Sequence, residues 1–134
     1  MTAGERVLAA AHATVGARFR AQGRDPALGL DCVGVVAVAL AGAGAGAGLR
    51  LPRDYARRSG VLPPGAVPAG MAACDGDAPG DILLCRLSAA QLHLAVRSRA
   101  GFIHADAQAR RVVERPGPPP WPVEAAWRWT PEGE

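Results

Sequence analysis

Leu92-His93-Leu94-Ala95-Val96-Arg97 alternates in character with a period of two, and Phe102-Ile103-His104-Ala105 follows after the short link Ser98 to Gly101. A link that short joins antiparallel neighbours only, because parallel pairing needs a long crossover. The C-terminal half is therefore committed to antiparallel sheet. Ala78-Pro79-Gly80-Asp81 predicts a turn, and Ile82 to Cys85 a short apolar strand with Cys85 as a small core residue. Arg111 to Glu114 predicts a further strand. Pro116 to Pro120 cannot donate to a ladder and predicts a rigid crossing. Val123 to Trp129 predicts a last strand, with Ala125, Trp127 and Trp129 on one side.

The N-terminal half has helical spacing instead. Thr2-Ala3-Gly4-Glu5 has the form of a capping box and opens a helix to about Val15, with Val7, Leu8, Ala11 and Val15 on one face. His12 lies beside that face as an exposed helix residue. Gly16 ends the helix, and Ala17 to Leu30 predicts an irregular loop. Asp31 then caps a second helix running from Cys32 to about Ala41. Gly42 to Gly48 alternates glycine with alanine and offers no side chain to pack; with the proline-rich stretch to Pro68 it predicts a flexible insertion over 41–70. Asp54 and Tyr55 fall in that insertion, as surface residues or as cleft lining. Helices first and strands after is an α+β fold, expected as a single domain over 1–134.

Composition excludes several functions. Hydrophobic content is 49%, enough for a real core, and no segment has the uninterrupted apolar length of a membrane span. The net charge is +3 and every basic residue except histidine is arginine, but the arginines are scattered and almost free of aromatic interleaving, unlike a nucleic-acid arm. Met1 to Arg20 has no apolar run of signal-peptide type, so synthesis in the cytoplasm without a signal peptide is expected.

The candidate chemistry centres on Cys32. A thiol in the first turn of a helix sits at the positive end of the macrodipole, which predicts a lowered pKa and a nucleophile near neutral pH. A thiol nucleophile needs a base, and the base needs a third group to orient it. His93 and His104 lie on adjacent predicted strands. With a hairpin centre between Ser98 and Arg99 they are opposed or diagonal on one sheet face. His93 is then the expected base, with His104 on its other ring nitrogen. The same three residues as metal ligands are the rival use, but Cys32, Cys74 and Cys85 form no C-x-x-C pair, and neither metal nor cofactor is expected.

Four blocks in order, Asp31-Cys32-Val33-Gly34, Pro79-Gly80-Asp81-Ile82-Leu83, His93-Leu94-Ala95-Val96 and Phe102-Ile103-His104-Ala105, resemble the NlpC-type cysteine peptidases, papain-like bacterial cell-wall hydrolases. The stretch Arg18 to Arg24 is similar to members carried by phages and prophages. The resemblance implies a papain-like α+β fold, with the nucleophile at a helix N-terminus packed on an antiparallel sheet. It implies Cys32 as nucleophile, His93 as base, His104 as orienting residue and peptidoglycan stem peptides as substrate, with phage-like tail proteins as partners and a virion or prophage tail as carrier to the wall. One departure stands out: Phe19 falls where the family often has a tyrosine that helps stabilise the oxyanion. Asp31 and the Gln22 amide are the remaining candidates beside the thiol. A fold that has lost turnover and serves in tail assembly, or one that transfers acyl groups to acceptors other than water, is the alternative.

Overall fold

The computed structural model describes residues 1–45 and 70–131. The element order is α1 (Ala3–His12), β1 (Arg24–Asp25), β2 (Gly29–Leu30), α2 (Cys32–Gly42), β3 (Met71–Ala73), β4 (Ile82–Ser88), β5 (Gln91–Arg97), β6 (Gly101–Asp106), β7 (Arg111–Pro116) and β8 (Val123–Trp129). The main sheet has the order β3-β8-β4-β5-β6-β7, and its paired strands run antiparallel. This is the expected α+β arrangement of helices packed on an antiparallel sheet.

Period-two alternation decides which residues face the helices. Leu92, Leu94 and Val96 of β5, with Ile103 and Ala105 of β6, join Val7 and Ala11 of α1 and Val33, Val36 and Leu40 of α2 in the main core. Leu83, Cys85, Ala95, Phe102 and Ala126 point the other way and form a smaller cluster, against which Trp121 packs from the β7–β8 crossing. Cys85 is fully buried there, as its place in an apolar run predicts.

The capping box forms: Glu5 N–H donates to Thr2 Oγ1 at 3.1 Å, and Thr2 N–H to Glu5 Oε1 at 3.0 Å. The helix ends earlier than its spacing suggests, at His12, and Val15 is exposed. The buried Thr14 hydroxyl donates to the Ala11 carbonyl, and the chain then turns onto β7, where Gly16 N–H donates to Val112 O. His12 is the exposed helix residue expected, paired with Glu114 at 2.9 Å.

The expected irregular loop 17–30 carries strand structure instead. Arg18 bridges Arg111, Phe19 bridges Leu30, and β1 pairs with β2. Short two-residue ladders leave no periodicity to read. β3 was also invisible in the sequence; it pairs with β8 through Met71↔Trp129 and Ala73↔Trp127. The loop presses on α2 at Gly34, where an added Cβ would lie 2.2 Å from the Gly23 carbonyl oxygen. That contact explains a glycine two residues after Cys32, in a helix that would otherwise prefer alanine.

The described start of the expected insertion 41–70 is the end of α2 and its cap. Ala45 N–H donates to Leu40 O at 2.9 Å and Gly44 N–H to Ala41 O at 3.1 Å, with Gly44 at φ +94°. This is a Schellman stop, and it buries Ala43 and Ala45. Residues 46–69 of the insertion, with Asp54 and Tyr55, lie outside the described residues.

Asp81, in the Pro79-Gly80-Asp81 turn, is fully buried. Its carboxylate accepts from Arg128 Nε and Nη2, both at 2.9 Å, and from Ala78 N–H at 3.0 Å, so the start of β4 is tied to β8. Removing one partner of such a pair leaves an uncompensated buried charge. Arg128→Ala is expected to lower the unfolding free energy by about 3–5 kcal/mol in a denaturant titration, and Asp81→Leu with Arg128→Met by much less.

Candidate active site

The β5–β6 ladder contains the pairs Val96↔Ile103 and Arg97↔Phe102 and ends there. Ser98 N–H donates to Gly101 O, which centres the hairpin between Arg99 and Ala100, one residue beyond the expected centre. Extended past its last pair, that register sets His104 opposite Ala95 and makes His93 a diagonal neighbour on the same face. Beyond Val96 and Ile103 the two strands part, and the site is built in the opening.

Three groups meet there. The first turn of α2 brings Cys32, 6% exposed, against β5 from the helix side of the sheet. N–H directions alternate along a strand, so Leu94 N–H points to the side where β6 has left the ladder, and there it is directed at the Cys32 sulfur. His93 and His104 stand on the opposite face of their strands, not on the face that α2 covers. Their rings meet edge to face, with His93 Nε2 2.8 Å from His104 Nδ1. Trp121 lies edge-on to both, with ring centroids 5.2 Å from His93 and 5.4 Å from His104. Cys32, His93 and His104 all line one cavity of about 750 Å³.

Asp31 anchors the wall beside the thiol. Its Oδ1 accepts from Gly34 N–H at 2.9 Å, the expected N-cap bond, and from Arg24 Nη1 at 2.8 Å. Its Oδ2 accepts from Gln22 N–H at 2.8 Å. Gln22 has φ +62°, a conformation that L side chains rarely adopt, and the Asp31 carboxylate holds it there. Phe19 and Gln22 both line the cavity; Phe19 has no hydroxyl to donate into it.

The expectation of a low-pKa thiol is corrected. Burial pushes Cys32 up to about 11, the Asp31 carboxylate adds to the rise, and the N–H groups of Leu94 and Val33 and the charge of Arg24 only partly oppose it. The cap that organises the helix start also places an anion beside the sulfur, offsetting the dipole. His93 moves the other way: burial lowers it to about 3, helped by His104, against the pull of Asp106. At rest Cys32 is a neutral thiol and His93 a neutral imidazole, both on the wall of one cavity.

Asp106, Arg115 and Trp121 also line the cavity and were not singled out from the sequence. Asp106 was within reach of the period-two rule, since it follows His104 by two on the same strand. Trp121 sits in a proline-rich crossing, where no periodicity applies. Among the described residues, the potential metal ligands that cluster within 4.8 Å of one another are Cys74, Asp75 and Asp81. Arg128 already pairs with both carboxylates there, at 3.3 Å to Asp75 and 2.9 Å to Asp81.

No protein-family model and no curated protein sequence matches the chain. Solved structures do. NlpC2 of Trichomonas vaginalis superposes with a TM-score of 0.69 at 18% identity, over 96% of this chain and 47% of that one. NlpC1 of the same organism gives a TM-score of 0.66 over 96% and 45%. The chain thus spans about half the length of these two proteins. The NlpC/p60 domain of the peptidoglycan hydrolase SagA gives 0.58 at 19% identity, over 84% of this chain and 88% of that one. At such identities the likeness establishes the fold: the chain has the architecture of NlpC/p60 domains.

The thiol's electrostatics predict its reactivity. Because thiolate forms only as pH approaches the raised pKa, iodoacetamide alkylation of Cys32 in the free protein should be slow at pH 6 and still rising above pH 9. Peptide mapping by mass spectrometry would show it; an inflection below pH 7 would contradict a desolvated neutral thiol.

Proposed function

We propose that this protein is a cysteine peptidase that hydrolyses peptide bonds in the stem peptides of peptidoglycan. The observation that carries the reading is the His93 Nε2 to His104 Nδ1 contact of 2.8 Å in the cavity that Cys32 lines from the start of α2. That contact occupies one nitrogen of His93 and leaves Nδ1 to act on the thiol. The fold shared with NlpC/p60 domains, one of them from a protein described as a peptidoglycan hydrolase, supports the substrate class.

The chemistry follows from a neutral resting pair. The Cys32 sulfur attacks the scissile carbonyl as its proton passes to His93 Nδ1, so that charge separates only as the bond forms. The C–N bond breaks, and the imidazolium returns the proton to the leaving amine. Water then attacks the thioester, His93 takes its proton, and the acid is released as the proton returns to sulfur. His104 receives the hydrogen bond from His93 throughout and holds the ring in plane. The backbone N–H of Cys32 and the Gln22 amide are the proposed donors to the oxyanion in place of a tyrosine hydroxyl; a lost donor of this kind costs on the order of a hundredfold in rate.

The Arg18 to Arg24 stretch supports carriage by a phage-like tail, with action at the cell wall. The open cavity, lined by Trp121, Leu87 and Phe19 beside polar groups, suits an extended peptide with small side chains.

Incubation of the purified chain with peptidoglycan should release new primary amines. Cys32→Ala and His93→Ala should each lower the rate on the order of a thousandfold or more, and Gln22→Ala roughly a hundredfold. Amine release that survives Cys32→Ala, or its absence in the unaltered protein, would remove the reading and leave a structural role. Mass analysis separates hydrolysis from transfer, since acyl transfer to an added amine gives a heavier product.

A further inference from the structure

We infer that Asp106 is a positioning residue that sets the proton arrangement of the His93–His104 pair, so that His93 presents a lone pair to the thiol. The inference rests on the peptidase reading above for its catalytic meaning, but its structural content stands separately.

The contact between His93 Nε2 and His104 Nδ1 holds one proton, and neutral rings can place it in two ways. In the first, His93 Nε2–H donates to His104 Nδ1. His93 Nδ1 is then a free acceptor, and the proton of His104 sits on Nε2. In the second, His104 Nδ1–H donates to His93 Nε2. His93 then carries its own proton on Nδ1 and has no lone pair for the thiol, while His104 Nε2 is bare. Only the first arrangement has a base in it.

The far nitrogen of His104 decides between them. His104 Nε2 is buried and has no hydrogen-bond partner among the described residues. It lies 4.0 Å from Asp106 Oδ2, with both side chains largely buried. A protonated Nε2 directs positive charge at that carboxylate; a bare Nε2 directs a lone pair at it. At this distance and burial the first is favoured and the second disfavoured.

Asp106 is built to remain an anion. Its Oδ1 accepts from Gln108 N–H at 2.9 Å and Ala109 N–H at 3.1 Å, and its Oδ2 accepts from Arg115 Nη2. Burial alone pushes its pKa up, but Arg115 and those N–H groups outweigh it and hold the carboxyl down at about 2. Its field reaches past His104: it raises the proton affinity of His93, against burial and His104. At His104 burial, the largest effect, and then Arg115 oppose it, so the carboxylate biases the tautomer without trapping a permanent imidazolium.

Asp106→Asn is the informative change. It preserves Oδ1 for the turn and replaces the charged oxygen by a neutral amide. An N–H facing His104 Nε2 would favour the second arrangement. Histidine nitrogen NMR on the full chain should show His93 and His104 both protonated at Nε2 in the unaltered protein, and His104 shifted toward Nδ1–H in Asp106→Asn. Stem-peptide hydrolysis should fall in kcat by about ten- to a hundredfold with KM within about twofold, since only base competence is lost. Asp106→Glu should recover part of it. If Asp106→Asn does not fold, Arg115→Ala, which leaves the carboxylate in place, should keep the Nε2–H signature of both rings. Unchanged tautomers in Asp106→Asn, or Nδ1–H on His93 in the unaltered protein, would overturn the inference. The NMR result stands even if no peptidoglycan is cut, so failure of the peptidase reading and failure of this inference are told apart.

Discussion

The Asp31 carboxylate is the joint on which the site depends. It closes the N-terminus of α2 through Gly34 N–H, fixes the loop through Gln22 N–H and pairs with Arg24. Without it, the Cys32 turn and the wall beside it would be separate pieces of chain, each with unpaired backbone donors. Gly34 adds the steric half of the same joint, since only a residue without Cβ lets the helix approach the Gly23 carbonyl. The apolar remainder of α2 then packs between α1 and the sheet, onto Leu92, Leu94 and Val96 among others. Seating that helix brings the sulfur to Leu94 N–H.

That joint has an electrostatic cost at the thiol. Burial and the anion at the helix start both disfavour the thiolate. The fold instead sets the sulfur, His93, His104 and the anionic Asp106 around one cavity. Each group is neutral at rest except the last. On the proposed peptidase reading, charge would separate only as a substrate carbonyl accepts the sulfur's electrons.

Much of this was legible in the residues, and the misses have physical causes. The antiparallel hairpin followed from the short Ser98 to Gly101 link, and both capped helix starts from Thr2 and Asp31, because turn length and capping are local properties. That His93 and His104 come together was legible, because they fall on one face of neighbouring strands; that this face is turned away from α2 was not. The pKa of Cys32 was not. A dipole argument reads one element, while desolvation and the Asp31 charge come from packing. The split between β5 and β6 was likewise hidden: strand propensity says where a ladder starts and is silent on where its partners diverge. β1, β2 and β3 are too short to show a period. Gly44, one of several glycines in an alternating run, gave no sign that it alone would terminate α2.

Nucleophilic catalysis by this thiol requires that Cys32 carry the acyl group during turnover. Rapid mixing of the protein with a synthetic stem peptide, acid quenching within the first turnover and intact mass measurement tests it directly. The account predicts a mass increase equal to the acyl half of the peptide, mapped to Cys32 and lost on treatment with hydroxylamine. Amine release with Cys32 unmodified at every time point, and a Cys32→Ala protein that still turns over, would contradict it.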